Sequence, residues 1–142
     1  LASNRITHLP EEITQLTQLR ELNLSANPLQ NLPKSFATMT QLEYLSFNDM
    51  KVDLSEIYPE VFRLKNLKEL ALVNNKLSTI PPQISTLSKL EGIFLSDNKI
   101  EHLPEEFYQL NTIEEIHLRG ISFSPEEVIK LDQAFGKKIY WG

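Results

Sequence analysis

The chain has 142 residues, 41% of them hydrophobic with only 4 Gly, which fits one folded domain and excludes a disordered segment. Its formal charge is −5 with no block of Lys or Arg, so nucleic acid is not an expected partner. Cysteine is absent, which excludes disulfide frameworks, thiol catalysis and cysteine metal sites, and no stretch approaches the ~18 apolar residues of a membrane span.

From the first residue onward the sequence falls into similar units. They are "LASNRITHLPEEITQLTQ" (1–18), "LRELNLSANPLQNLPKSFATMTQ" (19–41) and "LEYLSFNDMKVDLSEIYPEVFRLKN" (42–66). "LKELALVNNKLSTIPPQISTLSK" (67–89) and "LEGIFLSDNKIEHLPEEFYQLNT" (90–112) follow, and the last begins at 113. Within a unit, Leu22 and Leu24, Leu70 and Leu72, and Ile93 and Leu95 alternate with polar neighbours, the period of a short strand with one buried face. Asn4, Asn27, Asn75 and Asn98 stand where the chain turns inward, and a buried Asn there can satisfy backbone groups along a stack of turns. Leu-Pro or Ile-Pro at 9–10, 32–33, 80–81 and 103–104 opens the return leg, with Glu11, Glu12, Glu105 and Glu106 suited to a helix start. Two apolar columns lie under that leg: Ile13, Phe36, Val61, Ile84 and Phe107, then Leu16, Met39, Leu64, Leu87 and Leu110. No unit can close a core alone, so each must lean on its neighbours.

The pattern breaks at Met50 and Ile121, where Asn is expected, and the third unit carries two extra residues within 52–59. That insertion predicts a local bulge filled by Leu54 and Ile57, the rival being a secondary contact around Tyr58. After Ile121 the sequence "SPEEVIKLDQAFG" predicts a helix. Ser124 is its N-cap, Pro125 its first residue, and Glu127 completes a capping box; Val128, Leu131 and Phe135 form a buried stripe, and Gly136 is the stop. "KKIYW" then predicts a last strand-like segment, with Ile139 and Trp141 as core cover. The expected division is repeats over 1–120, with a partial first unit and starts at 19, 42, 67, 90 and 113, and a cap over 121–142. Leu1 falls in mid-strand with no polar cap before it, so earlier sequence is expected in the parent protein.

The recurring L-x-x-L-x-L-x-x-N-x-L, and "LPEEIxxLxxLxxLxLxxN" over 9–27, resemble the leucine-rich repeat family in its 23-residue "LPxxI/F" type. The tail "SPEEVIKLDQAFGKKIYW" looks most like that of bacterial members. The resemblance implies an α/β repeat solenoid, a right-handed arc with a parallel concave β-sheet, short helices on the convex side and a C-terminal helical cap. It implies a non-catalytic module that binds a protein or peptide on the concave sheet, with no cofactor. The rival readings are the substrate-targeting segment of a larger bacterial effector enzyme, and a surface adhesin. The lack of cysteine is compatible with the cytoplasm or with a bacterial secreted or surface protein.

Positions that vary on the strand side are free of folding duties. Twenty-five of them hold eight carboxylates against Arg20, Lys68 and Arg119, so the whole formal charge of −5 falls on this face and favours a basic protein partner. Tyr44 and Phe94 point outward two units apart, roughly 10 Å by strand spacing, with Ala71 and Gly92 between them and Val73 alongside. Two aromatics around small residues form a notch for a partner's side chain. The expected binding set is Tyr44, Ser46, Glu69, Ala71, Val73, Gly92, Phe94, Ser96, Glu115, His117 and Arg119. His8 and His102 share a column but stand about 20 Å apart, too far to share a metal. Glu115 and His117 are a conceivable acid/base couple, yet an open sheet supplies neither desolvation nor oxyanion donors.

Overall fold

The computed structural model of the protein describes residues 1–50, 53–56 and 58–142. Six strands pair in chain order into one parallel sheet: β1 (Glu21–Asn23), β2 (Tyr44–Ser46), β3 (Glu69–Ala71), β4 (Gly92–Phe94), β5 (Glu115–His117) and β6 (Ile139–Tyr140). The register follows the unit alignment, with Leu22, Leu45, Leu70, Ile93, Ile116 and Ile139 side by side and turned into the core. A three-residue strand thus commits its middle side chain to the interior and offers its flanking pair to the other face.

The return legs are tighter than ordinary helices. They form 3-10 turns over Glu11–Gln15, Lys34–Thr38, Pro82–Thr86 and Glu105–Gln109. Pro10, Pro33, Pro81 and Pro104 do not occupy the first helical position. They stand just before it in extended conformation, and each turn closes on a backbone bond to Ile13, Phe36, Ile84 or Phe107. Phe36, Val61, Ile84 and Phe107 are buried as a column, and so are Met39, Leu64, Leu87 and Leu110. Ile13 and Leu16 are the exceptions, the first half-buried and the second 51% exposed.

The asparagine ladder is formed where Asn is present. Asn98 donates to the Leu95 carbonyl of its own unit (2.7 Å) and to Leu72 of the preceding one (2.8 Å), and it accepts from the backbone N–H of Leu77 (3.0 Å). Asn75 accepts from Met50 N–H at 2.8 Å and donates to Phe47, and Asn27 accepts from Ile6 N–H and donates to Leu24. Asn4 is exposed and bonds only the nearby carbonyls of Leu1 and Ala2. At the third unit Met50 is buried where the Asn would be, an apolar infill without the tie to the unit before it. Leu54 is buried as expected; Ile57, its expected companion, lies outside the described residues. The residue before each Asn position has a left-handed backbone: Ser3 (φ 57°), Ala26 (56°), Asp49 (55°), Asn74 (55°), Asp97 (60°) and Gly120 (73°).

A four-residue helix, α1 (Tyr58–Val61), follows in the long unit, and α2 (Pro125–Phe135) closes the far end. Ser124 Oγ accepts from Glu127 N–H at 3.2 Å, but the reciprocal half of the capping box is not made. The Glu127 carboxylate turns inward instead, accepting from Leu103 N–H (3.1 Å) and from the Tyr108 hydroxyl (2.5 Å). The buried stripe of α2 is therefore Glu127, Leu131 and Phe135, and Val128 is 37% exposed rather than core. Phe135 meets the edge of Phe107 and stacks with Tyr108, which locks α2 onto the Glu105–Gln109 turn. Trp141 lies edge-on to Phe123 and keeps 41% of its surface in solvent, so it covers the core only in part.

Candidate functional site

The open face of the sheet is a grid of side chains set by the register. One row runs Glu21, Tyr44, Glu69, Gly92, Glu115; the next runs Asn23, Ser46, Ala71, Phe94, His117, Tyr140. Parallel strands place equivalent residues about 4.8 Å apart, close to the thickness of stacked rings. Three consecutive strands use that match. Phe94 stacks on His117 with centroids 4.6 Å apart and planes at 23°, and His117 stacks on Tyr140 at 4.6 Å and 10°.

Beside this ladder lie small residues, one in each row. Ala71 is buried, and Gly92 is buried between two glutamates: a Cβ built on Gly92 would lie 3.4 Å from the Cγ atoms of both Glu69 and Glu115. Glu115 has two duties, with Oε2 3.0 Å from His117 Nε2 and Oε1 beside Gly92. The basic residues of the face are already engaged. Glu43 takes Lys68 at 3.0 Å and Arg20 at 2.5 Å, and Asp97 takes Arg119 at 3.1 Å. Hydrogen bonds from Lys68 first, then Arg20, hold the Glu43 carboxyl below the usual range. Among the described residues, Glu69 has no basic partner.

Of the residues expected to bind, Tyr44, Glu69, Val73, Phe94, Glu115 and His117 are half-buried and Arg119 is exposed. Ser46 and Ser96 are not surface groups. Ser46 is fully enclosed, its hydroxyl 2.7 Å from that of Ser25, and Ser96 is buried at the strand exit. Ala71 and Gly92 are floor rather than contact. Glu69, Gly92 and Glu115 converge, as do Phe94 and His117, whereas Tyr44 stands two strands from Phe94, in register beside Glu69. Tyr140 was missed. It was assigned to the cap, although its parity opposite Ile139 puts it on the open face. Tyr58, the rival secondary contact, is buried on the other side and stacked on Phe62; burial first, then Asp53, pushes its hydroxyl well above the usual value. It lines an open groove of about 930 Å³ with Met50, Leu54, Leu77 and Pro81.

Among the described residues no helix is long and apolar enough to cross a membrane, and no group of three or more metal-ligating side chains is gathered. A solved leucine-rich repeat protein of Leptospira interrogans superposes on all of this chain with a TM-score of 0.81 and 29% identity, the chain covering 35% of it. Human trophoblast glycoprotein shares the fold with a TM-score of 0.79 over 99% of this chain and 56% of its own, at 20% identity. The flightless-1 homolog of Caenorhabditis elegans is 35% identical over 100 residues, 54% of this chain. The probable serine/threonine-protein kinase pats1 of Dictyostelium discoideum is 39% identical over 81 residues, also 54% of this chain. The chain spans only 8% of the first and 2% of the second. The leucine-rich repeat model matches residues 1–49 and 65–120, interrupted at the long unit. With that match over most of its length, and a parallel sheet whose strands repeat in register, the chain belongs to the leucine-rich repeat family, whose fold generally serves protein–protein interaction without catalysis.

Proposed function

We propose that this chain is a non-catalytic recognition module that binds a protein or peptide on the concave face of its sheet. The observation that carries the reading is the Phe94–His117–Tyr140 ladder: three rings held in register on the solvent side of a sheet whose core they do not build. Partly exposed aromatics on an open face are common anchors of an interface. The binding set then becomes Tyr44, Glu69, Val73, Phe94, Glu115, His117, Tyr140 and Arg119 around a floor of Ala71 and Gly92. The unpaired carboxylates of the face favour a basic partner. Repeats through residue 120, a cap over 121–142, the 23-residue "LPxxI/F" type and a bacterial affinity complete the reading; the unit spacing and the Leptospira likeness support them.

Affinity capture with the intact chain, repeated with Phe94→Ala and Tyr140→Ala, tests it. Both variants are expected to weaken the captured partner's binding by about tenfold, of the order of an interface anchor, while thermal midpoints stay close to the parent's. Undiminished binding in both would remove the open face from the function. A second reading, a targeting segment within a larger enzyme, is favoured by one observation: the chain matches 2% of a protein named as a kinase. Attached to that larger protein, the same ladder would select the substrate while chemistry sits elsewhere.

A further inference from the structure

The depression over Gly92 has a chemistry of its own. Its walls are Glu69 and Glu115, both leaning to 3.4 Å of where a Cβ would sit. Its far side opens on Ala71, whose methyl leaves the β3-facing side of the Phe94 ring without a stacked neighbour. Among the described residues, every concave lysine and arginine is taken by Glu43 or Asp97, so the two walls are not neutralised from within the sheet, and the ion-pair partner of Glu115 is His117. Two carboxylates flanking an open aromatic face match a planar cation, which can bond oxygens along its edge and lay its face on a ring.

Resting on the protein-binding reading above, we propose that the sheet docks an extended segment of its partner by seating one cationic side chain, a guanidinium, over Gly92. The head lies between Glu69 and Glu115, and the stem and face of the side chain pack on Phe94. The ring ladder then gives the residues beyond it an apolar shelf ending at Tyr140. This assigns the glycine a purpose that backbone geometry does not, since its φ is ordinary and a Cβ there would meet only normal contacts.

The test is an NMR titration of the whole chain with N-acetyl-arginine amide and, in parallel, with N-acetyl-citrulline amide, its neutral near-isostere. The expected result is a saturable shift of the Gly92 and Glu115 amides with the arginine compound alone. Glu115→Gln and Gly92→Ala are each expected to weaken it by about fivefold, as for one lost charge-assisted contact. Gly92→Ala fits the sheet without strain and fills the seat, so it separates space from charge. Equal shifts from citrulline, or arginine shifts that leave Gly92 unmoved, overturn the proposal. Should the ring variants abolish partner capture while arginine leaves Gly92 unmoved, only the cation seat fails. If capture ignores the rings, the docking role fails with the reading it rests on.

Discussion

Gly120 is the one glycine among the six left-handed positions that precede the asparagine column. The other five, Ser3 among them, hold φ near +55° to +60° with a side chain, at a cost of about 1 kcal/mol each. A Cβ on Gly120 would come within 2.4 Å of Asp97 Oδ1. Gly120→Ala is therefore expected to lose about 2 kcal/mol or more, from strain and from displacing the Asp97–Arg119 pair, read as a lowered thermal midpoint. Single residues were legible in the sequence where one partner decides their fate. Asn27, Asn75 and Asn98 satisfy fixed backbone groups and stand where the pattern put them. Ser46 did not, because its burial depends on Ser25 of the previous unit reaching across to it. Val128 was misplaced for a related reason: a carboxylate, Glu127, took the inward position that hydrophobicity alone would give to valine.

At the scale of the element, the strands were plain from their two-residue period, and their register followed from unit length. The return legs were read only as short helices. Whether such a leg winds as α or 3-10 depends on how closely adjacent units pack, which no single unit encodes. The cap was legible in outline through Ser124, Pro125 and Gly136, but its attachment was not. That attachment rests on Glu127, buried with two donors, where desolvation followed by the Glu127 bond raises the Tyr108 hydroxyl above its usual value. Glu127→Ala strands the Leu103 N–H and the Tyr108 hydroxyl together. The expected loss is about 2–3 kcal/mol by urea denaturation, with α2 amides losing exchange protection before those of β1–β4. Simultaneous loss across all strands would show that the cap and the repeats unfold as one.

Across the whole molecule, stability passes from unit to unit through contacts between neighbours. Two junctions lack the asparagine tie, at Met50 and at Ile121, and the first lies inside the stack. Asn75 and Asn98 each tie their unit to the one before, whereas Met50 makes no such tie between the third unit and the second. Backbone bonds still cross there, from Leu24 N–H to Ser46 and from Ala26 N–H to Asn48, both 2.9 Å. Equivalent bonds two units along run from Leu72 to Phe94 (2.8 Å) and from Asn74 to Ser96 (3.0 Å). Hydrogen exchange is expected to be about tenfold faster at Leu24 and Ala26 than at Leu72 and Asn74, reflecting roughly 1.4 kcal/mol less local stability. Matching rates would mean that apolar packing around Met50, with the bonds of Ser25 Oγ to Ser46 and to Asn48 N–H, replaces the missing tie in full. The same unit interrupts the family match, so its irregularity is visible both in sequence similarity and in hydrogen bonding.

The molecule's only tryptophan, Trp141, rests edge-on against Phe123 beyond the last strand, 41% open to water. Its emission is thus a natural lamp fixed to one end of the stack. A red shift that precedes the far-ultraviolet dichroism change on heating would report fraying from that terminus, with no label introduced.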